Sequence, residues 1–185
     1  KVSDVPIQAW SGALPAAAGE VGEILVRGPQ VTVSYHARPE ADAAAKIRFP
    51  DGSTGHRMGD LGRFDAQGRL WFCGRKSQRV ETVKGPLYTD CVEGVFNAHP
   101  GVRRSALVGL GARGAQRPLL IVEPEPGGAK SPALRTELLE LAAKNEMTKC
   151  LEDVLFMAEL PTDIRHNAKI QREKLALWAA GQVPR

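Results

Sequence analysis

The chain has 185 residues, 43% hydrophobic and 25% charged, with 19 Gly and 13 Pro that follow no period. It can fill a core for one ordinary domain or two small ones, and collagen-like, low-complexity and disordered classes are excluded. Its 25 basic and 21 acidic residues, net charge +4, are interspersed rather than clustered, which argues against nucleic-acid binding; no apolar run of about 18 residues predicts a membrane span.

The opening segment, residues 2–10, is strand-like, and it begins at Lys1 with neither an initiator Met nor a charged-then-apolar leader, so a portion of a longer protein is expected. Val2, Val5 and Ile7, and then residues 23–27, alternate or run apolar between breaks at Gly12, Gly22 and Gly28. Short strands of a small barrel or sheet are predicted. Residues 40–46 have high helix propensity, with Pro39 at the start and Pro50-Asp51-Gly52 as breaker. Residues 61–73 read as a hairpin whose turn, Asp65-Ala66-Gln67-Gly68, uses Gly68 for a positive φ.

Past Gly74 strands alternate with helices, so a boundary is placed near residue 76 and the fold class is α+β. A strand is predicted at 79–83, a helix at 90–98, strands at 105–109 and 119–123, and a helix from Pro132 with Ser131 as N-cap. Leu134, Leu138 and Leu141 share one face of that helix. The Pro- and Gly-rich stretch 124–132 reads as a mobile surface loop. A strand at 154–157 leads through Pro161 to a last helix carrying Leu175, Leu177 and Trp178. Cys73, Cys91 and Cys150 are odd in number and too scattered for a CxxC site, which fits unlinked thiols in a reducing cytoplasm.

Three charged loop positions are candidates for chemistry: Met58-Gly59-Asp60 before the hairpin, Gly74-Arg75-Lys76 after it, and His166-Asn167-Ala168-Lys169 before the last helix. Asp60 and Arg75 flank the two ends of the hairpin and can be neighbours, either as a plain surface pair or as a carboxylate and guanidinium that bind a polar ligand such as a ribose diol. Lys169 taken alone is an ordinary solvated lysine. His56 and His166 have no partner visible in the sequence and are read as bystanders. Gly109-Leu110-Gly111-Ala112-Arg113-Gly114 lacks the Lys-Ser/Thr of a phosphate loop and reads as a turn.

Order and spacing change the weight of these residues. Gly22-Glu23-Ile24-Leu25-Val26-Arg27-Gly28 with the later Tyr35, His56-Arg57-Met58-Gly59-Asp60-Leu61-Gly62, and Leu70-Trp71-Phe72-Cys73-Gly74-Arg75-Lys76 are followed by Val92-Glu93 with His99-Pro100-Gly101-Val102, and then by Lys169-Ile170-Gln171-Arg172-Glu173. In that order they resemble the C-terminal portion of the adenylate-forming superfamily of acyl-CoA synthetases, peptide-synthetase adenylation domains and luciferases. The resemblance implies that residues 1–75 are the distal β subdomain of the N-terminal domain and 76–185 a mobile α/β C-terminal lid. It implies ATP with Mg²⁺, Asp60 and Arg75 on the ribose, and Lys169 at the carboxylate and α-phosphate as catalytic residue. Ser77 would be the hinge about which the lid swings, although the family's usual Asp or Lys is absent there.

Two more departures narrow the branch. Val83 and Lys84 put bulk where CoA-using members have small residues along the pantetheine channel, and Cys91 stands where an acidic residue is common. With the segments 73–82, 85–89 and 164–170, they resemble the branch that forms β-lactones in bacterial long-chain olefin biosynthesis. Such an enzyme activates a 2-alkyl-3-hydroxy acid, whose own hydroxyl then closes the ring, so no thiol acceptor is required. The pathway's thiolase-like, reductase and decarboxylase enzymes are implied partners. A long-chain acyl-CoA ligase and a non-catalytic interaction module are the alternatives. The family's upstream phosphate-binding loop and adenine and acyl-pocket segments are not found in these residues, so the chain alone is expected to be inactive.

Overall fold

The computed structural model describes residues 1–127, 132–163 and 166–183, and for residues 166–168 the backbone alone. The chain divides into two compact units, Lys1–Ser77 and Gln78–Arg185.

The first unit is built on one long strand, β3 (Thr54–Phe64). Strand β1 (Gly22–Arg27) pairs antiparallel along one edge. The other edge is shared: β2 (Lys46–Arg48), which follows the short helix α1 (Pro39–Ala45), pairs with the start of β3, and β4 (Leu70–Arg75) with its end. The result is an open sheet of four strands, not the closed barrel that was one of the two expected forms. Closure would require β1 to meet β2 or β4. Instead, β2 makes a parallel bridge from Arg48 to Ala9.

That bridge is the ladder pairing shown by residues 2–10, which the sequence marks as a strand. The carbonyls of Ser3 and Val5 accept hydrogen bonds from the Arg57 guanidinium, at 2.6 and 3.0 Å, so a side chain satisfies backbone groups that a neighbouring strand would otherwise meet. The β3–β4 turn follows its sequence. The Gly68 amide donates to the Asp65 carbonyl at 3.0 Å, and Gly68 has φ +75°.

The second unit centres on a sheet in the order β7 (Val102–Leu110), β8 (Arg117–Pro124), β9 (Val154–Phe156), antiparallel and then parallel. Leu119-Leu120-Ile121-Val122 is a continuous apolar run because both faces of β8 are covered. Leu120 and Val122 face helices α2 (Thr89–Asn97) and α3 (Pro132–Ala143), while Leu119 and Ile121 face α4 (Arg172–Ala180). Leu134 and Leu138 are buried and Leu141 packs beside them, as the spacing predicts. On α4 Leu175 is fully buried but Leu177 is 78% exposed, since two residues along a helix turn a side chain to the opposite side. The hairpin β5 (Val80–Thr82) and β6 (Gly85–Leu87) and the pair β10 (Thr162–Asp163) and β11 (His166–Ile170) complete the unit. The expected Ser131 cap and the middle of the 124–132 loop lie outside the described residues.

Candidate active site

The β3–β4 ladder sets Asp60 directly opposite Arg75. Between the pairs Leu61–Gly74 and Gly62–Phe72 the register slips, leaving Cys73 as an extra residue on β4. This bulge twists the end of the hairpin next to the charged pair. Gly59 and Gly74, which adjoin Asp60 and Arg75, have φ of +68° and +115°, values that a residue with a Cβ reaches only under strain. The glycines of both motifs are thus required by the backbone that presents the two charges.

Asp60 Oδ1 lies 2.9 Å from Arg75 Nη1, which also donates to the Met58 carbonyl at 3.4 Å. The carboxylate is largely shielded, at 22% exposed, and the guanidinium is open, at 53%. Asp60 Oδ1 is buried, and the ion pair with Arg75 lacks hydrogen-bond geometry, so this oxygen has no hydrogen-bond donor among the described residues. A buried acceptor without a donor, beside an accessible cation, fits a ligand that brings hydroxyl donors and negative charge.

Lys169 sits in β11, not in the loop expected from the sequence. The ladder pairs Thr162 with Ile170 and Asp163 with His166, so Asn167, Ala168 and Lys169 form a bulge with no counterpart on β10. Lys169 is exposed while Ile170 is buried in the core under α4, which anchors the strand immediately after the lysine. Asp60 and Arg75 belong to the first unit and Lys169 to the second. Ser77, exposed in a 3-10 turn over Lys76–Gln78, is the last residue of the first unit. Val83 and Lys84 form the two-residue turn of the β5–β6 hairpin, with Val83 81% exposed.

His56 packs edge-on to Tyr35 at 6.2 Å. Burial, with the nearby Lys46 ammonium, holds its imidazole below the ordinary value, so it is neutral near pH 7. The side chain of His166 lies outside the described residues. Among the described residues no group of three or more His, Cys, Asp or Glu could hold a metal ion, and no helix is long and apolar enough to cross a membrane.

No protein-family model matches the chain. It is 58% identical over 186 residues to an olefin β-lactone synthetase of Stenotrophomonas maltophilia, covering 98% of this chain and 34% of that protein. It is 33% identical over 171 residues to a long-chain-fatty-acid–CoA ligase of Salmonella typhimurium, covering 90% and 28%. The O-succinylbenzoate coenzyme A synthetase of Bacillus subtilis, solved with ATP and magnesium ion, superposes with a TM-score of 0.71 at 25% identity, covering 93% of this chain and 33% of that one. The chain belongs to the adenylate-forming superfamily. It spans about a third of the length of the curated relatives it matches.

Several residues of the adenylate-forming motifs turn out to hold architecture. Arg57 donates to Glu23 Oε2 from Nε and Nη2 at 3.0 and 2.7 Å and reaches three backbone carbonyls, while Lys76 lies 3.0 Å from Glu23 Oε1. In the second unit Glu93 accepts a two-pronged bond from Arg172, Nε to Oε1 at 3.0 Å and Nη2 to Oε2 at 2.6 Å, and a third bond from the Leu107 amide at 2.8 Å. Arg172 Nη1 also donates to Gln78 Oε1 at 3.0 Å. Burial pushes the Glu93 carboxyl up, and the Arg172 fork and the Leu107 amide pull it partly back. The sequence marks Val92-Glu93 as a motif, and Glu93 is the acidic residue of an otherwise apolar inward face with Val92 and Phe96, a position that calls for a buried cationic partner.

Proposed function

We propose that this chain is the C-terminal third of an ATP-dependent ligase that activates a long-chain 2-alkyl-3-hydroxy acid as its acyl-adenylate and closes it to a β-lactone. The observation that carries the choice is the gap between 58% identity to an olefin β-lactone synthetase and 33% to a CoA ligase. The exposed Val83-Lys84 turn supports it, because side chains occupy the stretch where CoA-using relatives have small residues.

The site residues fit that chemistry. Asp60, whose buried Oδ1 is ion-paired with Arg75 but accepts no hydrogen bond from the described residues, accepts hydrogen bonds from the ribose hydroxyls, and Arg75 holds the same sugar and its charge. The substrate carboxylate attacks the α-phosphorus and pyrophosphate leaves. Lys169 stabilises the charge that builds there, an effect of about 3 to 4 kcal/mol by analogy with an oxyanion donor. Mg²⁺ would arrive with ATP rather than on a ligand cluster of the described residues, and would supply charge neutralisation on the phosphates. The 3-hydroxyl then adds to the acyl carbon, forming the ring C–O bond as the bond to AMP breaks, with its proton passing to solvent and the electron pair leaving on the AMP phosphate oxygen. Residues 78–185 act as a lid swinging about Ser77, consistent with the division between the two units.

The test uses the full-length enzyme with Mg-ATP and a long-chain 2-alkyl-3-hydroxy acid, with and without CoA, identifying the product by mass. A lactone and AMP formed equally with or without CoA are expected. A thioester formed only with CoA makes the protein a long-chain acyl-CoA ligase. Lys169→Ala abolishes pyrophosphate exchange without lowering Tm, since an exposed lysine carries little stability; exchange at the wild-type rate removes Lys169 from the mechanism.

A further inference from the structure

The Glu93–Arg172–Gln78 cluster joins two places that matter to the proposed reaction. Gln78 is the residue after Ser77 and closes the 3-10 turn of the linker. Arg172 is the first residue of α4, three positions after Lys169 and two after the buried anchor Ile170. Glu93 is rooted in α2 and also holds the Leu107 amide of β7, and the arm reaching Gln78 and the two arms held by this carboxylate belong to one guanidinium, that of Arg172. The Gln171 amide donates to the Pro161 carbonyl at 2.8 Å and its side chain to the Thr162 carbonyl at 2.9 Å, tying the start of α4 to β10, the partner of the lysine strand.

We infer that Arg172, held by Glu93 and bonded to Gln78, is a positioning residue that couples the linker to the Lys169 strand, so that a change at the linker alters where Lys169 is held. A side-chain fork is suited to this task. A guanidinium satisfies two carboxylate oxygens and the Gln78 amide oxygen at fixed angles, whereas an ammonium is a point charge that cannot fix all three. A purely structural pair would need no third arm to the linker. The inference rests on the assignment of Lys169 to adenylation.

The experiment compares Lys169→Ala, Arg172→Lys, Gln78→Ala and the double variant Arg172→Lys/Gln78→Ala in the full-length enzyme, measuring Tm, and kcat and KM for ATP in pyrophosphate exchange. Arg172→Lys keeps the charge and is expected to fold, with exchange kcat reduced about tenfold and KM for ATP within twofold of wild type. Gln78→Ala, which removes only the linker arm of a half-buried side chain, is expected to leave Tm unchanged and lower kcat about threefold. The double variant should be no slower than Arg172→Lys alone, because both changes break one connection. If Lys169→Ala abolishes exchange but Arg172→Lys and Gln78→Ala keep wild-type kcat, the coupling is overturned and the assignment of Lys169 stands. A lowered Tm with unchanged kcat gives the cluster a structural role only. If Lys169→Ala exchanges normally, both fall.

Discussion

The two units reach stability by different routes. Gln78–Arg185 packs apolar side chains on both faces of its sheet, Phe96, Leu107, Leu120 and Leu138 on one and Leu119, Ile121 and Leu175 on the other, all fully buried. Lys1–Ser77 buries few apolar residues, Ile47, Leu61 and Cys73, and places the Arg57–Glu23 pair in the position of a core. It also leaves Phe64, Leu70, Trp71 and Phe72 about half exposed and keeps an apolar hollow of about 780 Å³ lined by residues such as Ile7, Trp10 and Leu14. A buried ion pair with many acceptors specifies how segments meet, but adds little net stability over an apolar core. Within these residues the second unit is held chiefly by apolar packing and the first chiefly by buried polar contacts.

The largest effect follows directly. Residues 78–185 made alone should show a cooperative thermal transition by circular dichroism, and residues 1–77 made alone should not; a sharp transition in the shorter piece would break the contrast. Within the whole chain, Arg57→Ala should destabilise the first unit by about 3 to 5 kcal/mol, because it removes the two-pronged partner of the buried Glu23 carboxylate, which keeps the Lys76 ammonium, and takes a donor from each of the Ser3, Val5 and Ala44 carbonyls. Denaturant unfolding followed by Trp10 fluorescence measures it, since Trp10 stacks on Phe49 at 4.9 Å in the same unit.

Legibility in the sequence divides along the same line. The hairpin could be read because Asp65 and Gly68 dictate its turn, and the hairpin's arithmetic brings Asp60 within one residue of Arg75; the bulge at Cys73, which no local pattern announces, then sets the two directly opposite. The sheet of the second unit was equally plain, since 119–122 is apolar at every position. Residues 2–10 misled because their alternation is real but their carbonyls bond to Arg57, more than fifty residues away, a partner that no local pattern contains. Strand β6 was missed because Gly85 and Pro86 both disfavour a strand, and β11 because its bulge hides any alternation around Lys169. Motif order pointed to the residues of the site; which of them build the frame, Arg57, Glu23, Glu93 and Arg172, depended on contacts across the chain.

The contrast can be sharpened in the second unit with two leucines. Leu138→Ala opens a cavity where the side chain is fully buried against the sheet and should cost about 2 to 5 kcal/mol. Leu177→Ala, on the outer side of α4, should change stability by less than about 0.5 kcal/mol. Equal losses at both positions, read from denaturant midpoints, would mean that the apolar faces do not carry the unit.

The smallest effect is confined to the exposed hairpin of the first unit, where polar groups again do the work that packing does elsewhere. The Asp65 carboxylate accepts from Trp71 Nε1 at 2.7 Å, from the Gln67 and Arg69 amides at 2.9 Å each, and from Arg69 Nε at 2.6 Å. The Trp71 bond contributes most to lowering its pKa from 3.8 to about 2. A carboxyl whose folded value lies below its unfolded value contributes stability above the unfolded value and loses it as pH falls through the folded one. The hairpin should therefore keep its turn at pH 3.5 and release it near pH 2. The indole N–H resonance of Trp71 should titrate with a midpoint about 2, and in Asp65→Asn that titration should vanish. A midpoint close to 3.8 would mean that the turn is held by its backbone bonds and Gly68, with the carboxylate adding nothing.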